Sequence, residues 1–297
     1  MKLLKIIWEL LKKTYDQAGQ INIGLHGAAI AFYAIFSTAP LVIITLWILN
    51  MVIGSQLGTM EVEQTMESVV GAELTDTIEQ IVASANEGTS GLWSSIVAII
   101  TLLFGATTLL SQIKQTLNVI WGVKNPKLNS VWLFLWDRLT GLLFIGALSL
   151  LFLTGLVSES IIYGLGDLLI PVLGSTNVYL IQIGTSLTNV VLAITFFAAM
   201  FRILPDLDAR WRDVAVGAIV TTVLVLAGKS LVDWYLSAAA LEPMYKAAGS
   251  FVIFLIWIYY NVQVVLIGAV FTRVYTSRYG GKIKPYWEAT LDEDLWL

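Results

Sequence analysis

The sequence predicts an all-α, polytopic membrane protein: a bundle of six transmembrane helices with an N-terminal amphipathic helix at the membrane interface and a helical loop on the extracytoplasmic side. Three observations predict it. Hydrophobic residues make up 57% of the 297-residue chain and charged residues only 13%, whereas a soluble domain carries about 25% charged residues. Six apolar runs are long enough to cross about 30 Å of hydrocarbon at a rise of about 1.5 Å per residue. The basic residues also sort by loop. Fifteen of the 17 lie before the first run, between the second and third, between the fourth and fifth, or after the sixth. Cytoplasmic loops are enriched in Lys and Arg, so both ends are expected in the cytoplasm, and five or seven spans would break the alternation.

Taken in order, the N-terminal KLLKIIWELLKKTYDQAG is not expected to be a cleavable leader, because lysines recur through it and no small-residue cleavage site follows. Lys2, Lys5, Glu9, Lys12, Lys13 and Asp16 recur at helical spacing and leave Leu3, Leu4, Ile7, Trp8, Leu10 and Leu11 on the remaining surface. That pattern suits a basic helix lying along the membrane face.

The first span, near 28–53, contains AFYAIFSTAPLVIITLW, with Pro40 in mid-run. A mid-helix proline costs about 3 kcal/mol in water, but inside a bundle neighbouring hydroxyls can satisfy the freed backbone groups. Ser37 and Thr38 stand within reach of the Phe36 carbonyl, so a kinked span is expected. Plain packing is the simpler role for such a kink, and a hinge or cavity lining the sharper one.

The outside loop, 54–91, carries seven acids and no base. Met66, Val69, Val70, Leu74, Ile78, Ile81 and Val82 recur at three- and four-residue steps, which predicts amphipathic helix over the outer mouth or a cap for a partner. The remaining spans fall near 92–112, 139–157, 178–201, 214–236 and 250–272. Residues 1–280 read as one membrane domain and 281–297 as a cytoplasmic tail. There is no internal repeat of the inverted-transporter kind, and no GxxxG pair within the spans marks a dimer face.

Polar groups at membrane depth are costly and therefore candidates for function. Asn261 and Gln263 fall near the middle of the sixth span, and Asn189 near the middle of the fourth beside Thr185, Ser186 and Thr188. With Ser37 and Pro40 they define a candidate path for a lipid or substrate; interhelical hydrogen bonding is the bland alternative for each. Lys229 and Asp233 sit four apart in GKSLVDWY and predict an ion pair near the outer interface. GKS is not a phosphate loop, since Val223 stands where its first glycine belongs. GLGD at 164–167 matches the string of intramembrane aspartyl proteases, but it lies in a short loop and is read as chance.

Lys114, Arg138, Arg202 and Arg273 each sit at the inner end of a span, where they could meet anionic headgroups; the positive-inside rule alone also predicts them. The chain has no cysteine and a single histidine, His26, so no thiolate nucleophile and no Cys or His metal cluster can form. No catalytic set, cofactor or metal site is expected. Nucleic-acid binding is not expected either, because the basic residues are spread among Asp137, Asp206, Asp208 and Asp213.

AFYAIFSTAPLVI, LFGATTLLSQIKQTLNVIWGV, FRILPD followed by WRDVAVGAIVTTVL, and YKAAGSFVIFLIWIYYNVQVVLIGAVFTRVY occur in this order. Together they resemble the YihY/BrkB family of bacterial inner-membrane proteins over roughly residues 10–280. The resemblance implies six transmembrane helices with both ends cytoplasmic. The family's old label, ribonuclease BN, implies a metal-dependent nuclease, and the chain lacks the histidine and aspartate cluster for one. The expected function is non-enzymatic: binding or moving a lipid or other amphiphile in the inner membrane. The alternative is an assembly role, with loop 54–91 recruiting an envelope protein. Membrane lipids are the expected partners.

Overall fold

A computed structural model describes residues 2–35, 92–124, 176–238, 246–281, 283–285 and 290–291, with scattered helical positions between 139 and 162. The helices are α1 (Lys2–Ile21), α2 (Ile23–Ile35), α3 (Leu92–Trp121), α4 (Thr176–Ile203), α5 (Trp211–Ala238) and α6 (Lys246–Tyr279). Four two-residue strands accompany them: β1 (Val123–Lys124), β2 (Leu207–Asp208), β3 (Lys284–Pro285) and β4 (Thr290–Leu291).

Among the described residues, three helical segments are long and apolar enough to cross a membrane: Ile181–Ile203, Trp211–Gly228 and Leu255–Tyr279. They coincide with the expected fourth, fifth and sixth spans, and α3 covers the expected second. Ser37, Pro40, Arg138, loop 54–91 and GLGD lie outside the described residues, as do the side chains of Lys229 and Asp233.

The expected N-terminal helix is present as α1. Asn22 ends it with a left-handed φ of 57°, donating its N–H to the Gly19 carbonyl at 3.1 Å. Asparagine tolerates this conformation better than most residues. One face of α1 is buried through Leu10, Thr14, Ala18 and Ile21, while Ile7, Trp8, Leu11 and Tyr15 are exposed. The Thr14 hydroxyl donates to the Leu10 carbonyl one turn back, so the buried polar group is satisfied.

Two compact units divide the chain. The first comprises Met1–Ile23, Ile113–Ala227 and Val264–Leu297, and the second Gly24–Gln112 and Gly228–Gln263. The core of the first is built from Leu117, Ile120, Trp121, Phe201, Leu207, Val214, Leu266, Val270 and Val274. Among the described residues, two strands after α6 pair with the segments that follow α3 and α4. β3 runs antiparallel to β2, with Leu207 opposite Pro285, and β4 runs antiparallel to β1, with Val123 opposite Leu291. Gly122 turns the chain from α3 into β1 with a φ of 66°, a conformation that suits glycine. β3 and β4, in a stretch expected only as a tail, thus pair with the segments that follow α4 and α3.

The closest approach of α5 and α6 in this unit is reciprocal. A Cβ added at Gly217 would collide with the Thr272 side chain, and one added at Gly268 would collide with Thr221. Each helix therefore offers a glycine and, one turn later, a threonine, and the rising and falling numbers make the pair antiparallel. Both hydroxyls are satisfied within their own helix: Thr221 donates to the Gly217 carbonyl at 2.8 Å and Thr272 to the Gly268 carbonyl at 2.7 Å. In hydrocarbon, where burial of apolar side chains gives little drive, such close packing is what holds helices together.

In the second unit α2 and α6 meet through another glycine face. A Cβ at Gly27 would strike the Gln263 amide, and the Gly24 carbonyl accepts from Tyr259 and Gln263, each at 3.4 Å. A Cβ at Gly228 would likewise collide with Tyr260.

Overpacking at such a contact costs about 1–3 kcal/mol. Gly217→Ala is therefore expected to lower stability by about that amount in detergent unfolding measurements, and Thr272→Gly in the same chain to restore part of it. Gly146→Ala, where nothing lies within 4 Å of the added Cβ, is the control and should not destabilise.

Candidate functional site

Among the described residues, a polar cluster joins α3 to the loop after α4 in the first unit. Lys114 and Asn118, one turn apart on α3, point at the loop that follows α4. The Lys114 ammonium pairs with Asp206 Oδ1 at 2.8 Å, and Asn118 Nδ2 donates to Asp206 Oδ2 at 2.9 Å. The Asp206 N–H in turn donates to Asn118 Oδ1 at 2.8 Å. Asn118 thus engages one residue through both halves of its amide, and both carboxylate oxygens of Asp206 are bonded. Asn118 is 4% exposed and Lys114 9%. Charges this sheltered persist when paired and hydrogen-bonded.

Arg273 on α6 is 1% exposed and donates from Nη1 to the Ile120 carbonyl at 2.7 Å. That carbonyl belongs to the last turn of α3, where backbone acceptors lack helical partners and a cation is favoured. Arg202, at the end of α4, pairs with Asp208 at 3.0 Å and lies over the Trp211 ring, 4.7 Å from its centroid. Asp213, in the first turn of α5, accepts the Gly281 N–H at 3.0 Å and so fixes the chain leaving α6. Lys114, Arg202 and Arg273, expected to face headgroups, are therefore engaged within the protein, and Arg273 is too buried to reach one. The remaining member of that set, Arg138, lies outside the described residues.

One ion pair stands apart. Arg278, near the end of α6, meets Glu9 of α1 at 2.6 Å. The hydrogen bond from Arg278, and then its charge, hold the Glu9 carboxyl below its ordinary value of 4.5.

The polar residues of the spans divide between the two units. In the second, Asn261 donates to the Trp257 carbonyl of its own helix at 2.7 Å, and Gln263 sits between α6 and the glycines of α2. In the first, Asn189 is exposed on α4. Gln182 and Ser186, four and three residues apart in the series ending at Asn189, are exposed on the same face. Thr185 beside them is half-buried and donates to the Ile181 and Gln182 carbonyls at 3.1 Å each. The sequence pointed to Asn189 and Ser186 and missed Gln182. It also missed Asn118, and took Asp206 only as an acid diluting basic charge. The signal was the spacing of Lys114, Asn118 and Trp121, which puts two polar groups on one face of α3 beside an aromatic.

Comparison with known proteins decides the family. The model of the virulence factor BrkB family matches residues 14–290. The chain belongs to that family. Its relatives include a UPF0761 membrane protein of Methylibium petroleiphilum, 27% identical over 88% of this chain and 61% of the relative. One from Psychromonas ingrahamii is 25% identical over 91% of this chain and 88% of the relative. One from Mannheimia succiniciproducens is 31% identical over 61% of this chain and 60% of the relative. The chain thus spans about three fifths of the length of several curated relatives it matches. No solved structure matches it. With its apolar helices and these relatives, this BrkB-family chain is an integral membrane protein.

Removing one partner of a sheltered ion pair costs about 3–5 kcal/mol. Asp206→Ala, which strands Lys114 and Asn118, is expected to lose stability on that scale in detergent unfolding. Asp206→Asn with Lys114→Met should recover most of it, since the neutral amide keeps a partner for Asn118 and no charge is left alone.

The Glu9 carboxyl has a folded value below its unfolded one. Its contribution is therefore present above about pH 4.5 and is lost as pH falls through the lower folded value. Because the chain has no cysteine, spin labels on one introduced cysteine in α1 and one in α6 can follow the separation directly. Acid should lengthen it, and Glu9→Gln should remove that pH dependence.

Proposed function

We propose that this protein binds or moves a lipid or other amphiphile in the inner membrane of the bacterial envelope, without enzymatic chemistry. The proposed topology is six spans with both ends cytoplasmic, supported by the sorting of 15 of the 17 basic residues to alternate loops. The observation that carries the functional reading is the polar stripe on α4. Gln182, Ser186 and Asn189 face outward from a helix that is apolar enough to cross a membrane.

Of the three spanning segments, this one is the least covered by the rest of the protein: 17% of its most apolar window is buried, against 39% and 44% for the other two. Polar side chains at membrane depth are rare and mark candidate substrate paths. A polar track of this kind fits the passage of a hydrated headgroup along a helix whose other faces meet lipid tails. Asn261 and Gln263 belong to the proposal as polar groups at depth on α6, with Gln263 also joining α6 to α2.

The test is transbilayer movement of a headgroup-labelled phospholipid in vesicles reconstituted with the protein. Gln182→Leu, Ser186→Ala and Asn189→Leu in one chain should leave insertion and unfolding behaviour intact while lowering movement to the rate of protein-free vesicles. Movement at the unaltered rate with full incorporation would overturn the reading. A shift to a different oligomeric state would assign the stripe to a protein contact instead.

A further inference from the structure

We infer that α1 is a docking surface for anionic lipid, held at the membrane boundary by the end of α6. This is independent of whether lipid moves along α4.

The helix has three faces. Leu10, Thr14, Ala18 and Ile21 are buried against the protein. Beside them Ile7, Trp8, Leu11 and Tyr15 fall within about 100° of arc at 3.6 residues per turn, and they are 51%, 69%, 51% and 81% exposed. Next come Lys5, Lys12 and Lys13, all exposed. Of the acids on the helix, Glu9 is engaged by Arg278 and Asp16 is exposed. The order buried, apolar, cationic is the cross-section of a helix lying in an interface: aromatic and aliphatic side chains reach the acyl boundary while lysines meet phosphate.

Depth comes from a separate observation. Arg278 lies one residue before the end of the spanning segment Leu255–Tyr279, and its guanidinium holds Glu9 in the middle of α1. A helix tied to the terminal turn of a span sits at headgroup level. Its Lys5, Lys12 and Lys13 are exposed, whereas Lys114, Arg202 and Arg273 are engaged by other groups of the protein. Charge complementarity favours an anionic lipid surface over a protein occupant, and the aromatic Trp8 and Tyr15 are the residue types that favour this depth.

The experiment uses the full chain, whose lack of cysteine makes each introduced thiol unique. A nitroxide is placed at Trp8→Cys, Leu11→Cys, Tyr15→Cys, Lys12→Cys or Asp16→Cys. The protein is reconstituted in phosphatidylcholine vesicles or in equal parts phosphatidylcholine and phosphatidylglycerol. Collision with oxygen reports acyl depth, and collision with a water-soluble nickel chelate reports water.

In the anionic vesicles the labels at 8, 11 and 15 should favour oxygen and those at 12 and 16 the chelate. In phosphatidylcholine alone, or with Lys5→Gln, Lys12→Gln and Lys13→Gln, the oxygen preference should fall several-fold. Three outcomes would overturn the inference. Labels at 8, 11 and 15 as open to the chelate as those at 12 and 16 would put α1 in water. Equal depth in both vesicles would remove the charge dependence. Labels at 8, 11 and 15 shielded from both reagents would mean that protein covers the face. All the altered positions are exposed, and retention of the size of the unaltered chain on gel filtration serves as the check on folding.

Discussion

What holds this protein together is close approach of helix backbones where side chains are small enough to allow it. In water a helix pair gains by hiding apolar surface, but in hydrocarbon that gain largely vanishes because the lipid is as apolar as the side chains. The reciprocal contact of Gly217 with Thr272 and of Thr221 with Gly268 replaces it with dispersion contact over a short distance. The threonines are suited to the role because each returns its hydroxyl to its own helix and so presents no unsatisfied group to the partner.

That contact sets α5 against α6 in a single register, and the polar cluster depends on it. Arg273 follows Thr272 directly and reaches the end of α3, while Asp213, one turn before Gly217, receives the chain that leaves α6. Lys114, Asn118 and Asp206 then fasten α3 to the loop after α4. The charges first read from the sequence as reaching outward are thus part of the framework. Exposed lysines stand on α1, whose buried face contributes to the same unit.

How much of this was legible in the sequence follows from the physics of each element. The last three spans were expected near 178–201, 214–236 and 250–272, and the apolar segments fall at Ile181–Ile203, Trp211–Gly228 and Leu255–Tyr279. Length and hydropathy are local properties, so they survive without tertiary information. The glycine contacts leave no two-glycine motif on one helix, because the packing alternates glycine and threonine across two. The Asp206 cluster was hidden for a similar reason: Lys114 and Asn118 are separated from Asp206 by 88 or more positions, and a charged residue near a span end looks the same whether it faces lipid or a carboxylate. The stitching strands are two residues long and carry no periodicity that a sequence could display.

Those strands also order events during biosynthesis. β3 and β4 lie beyond α6, so they leave the ribosome after every helix described here has been made. Until then the strands at Val123 and Leu207 lack these backbone partners. The fold is closed from its C-terminal side, which makes the nascent chain's slackest stage a late one.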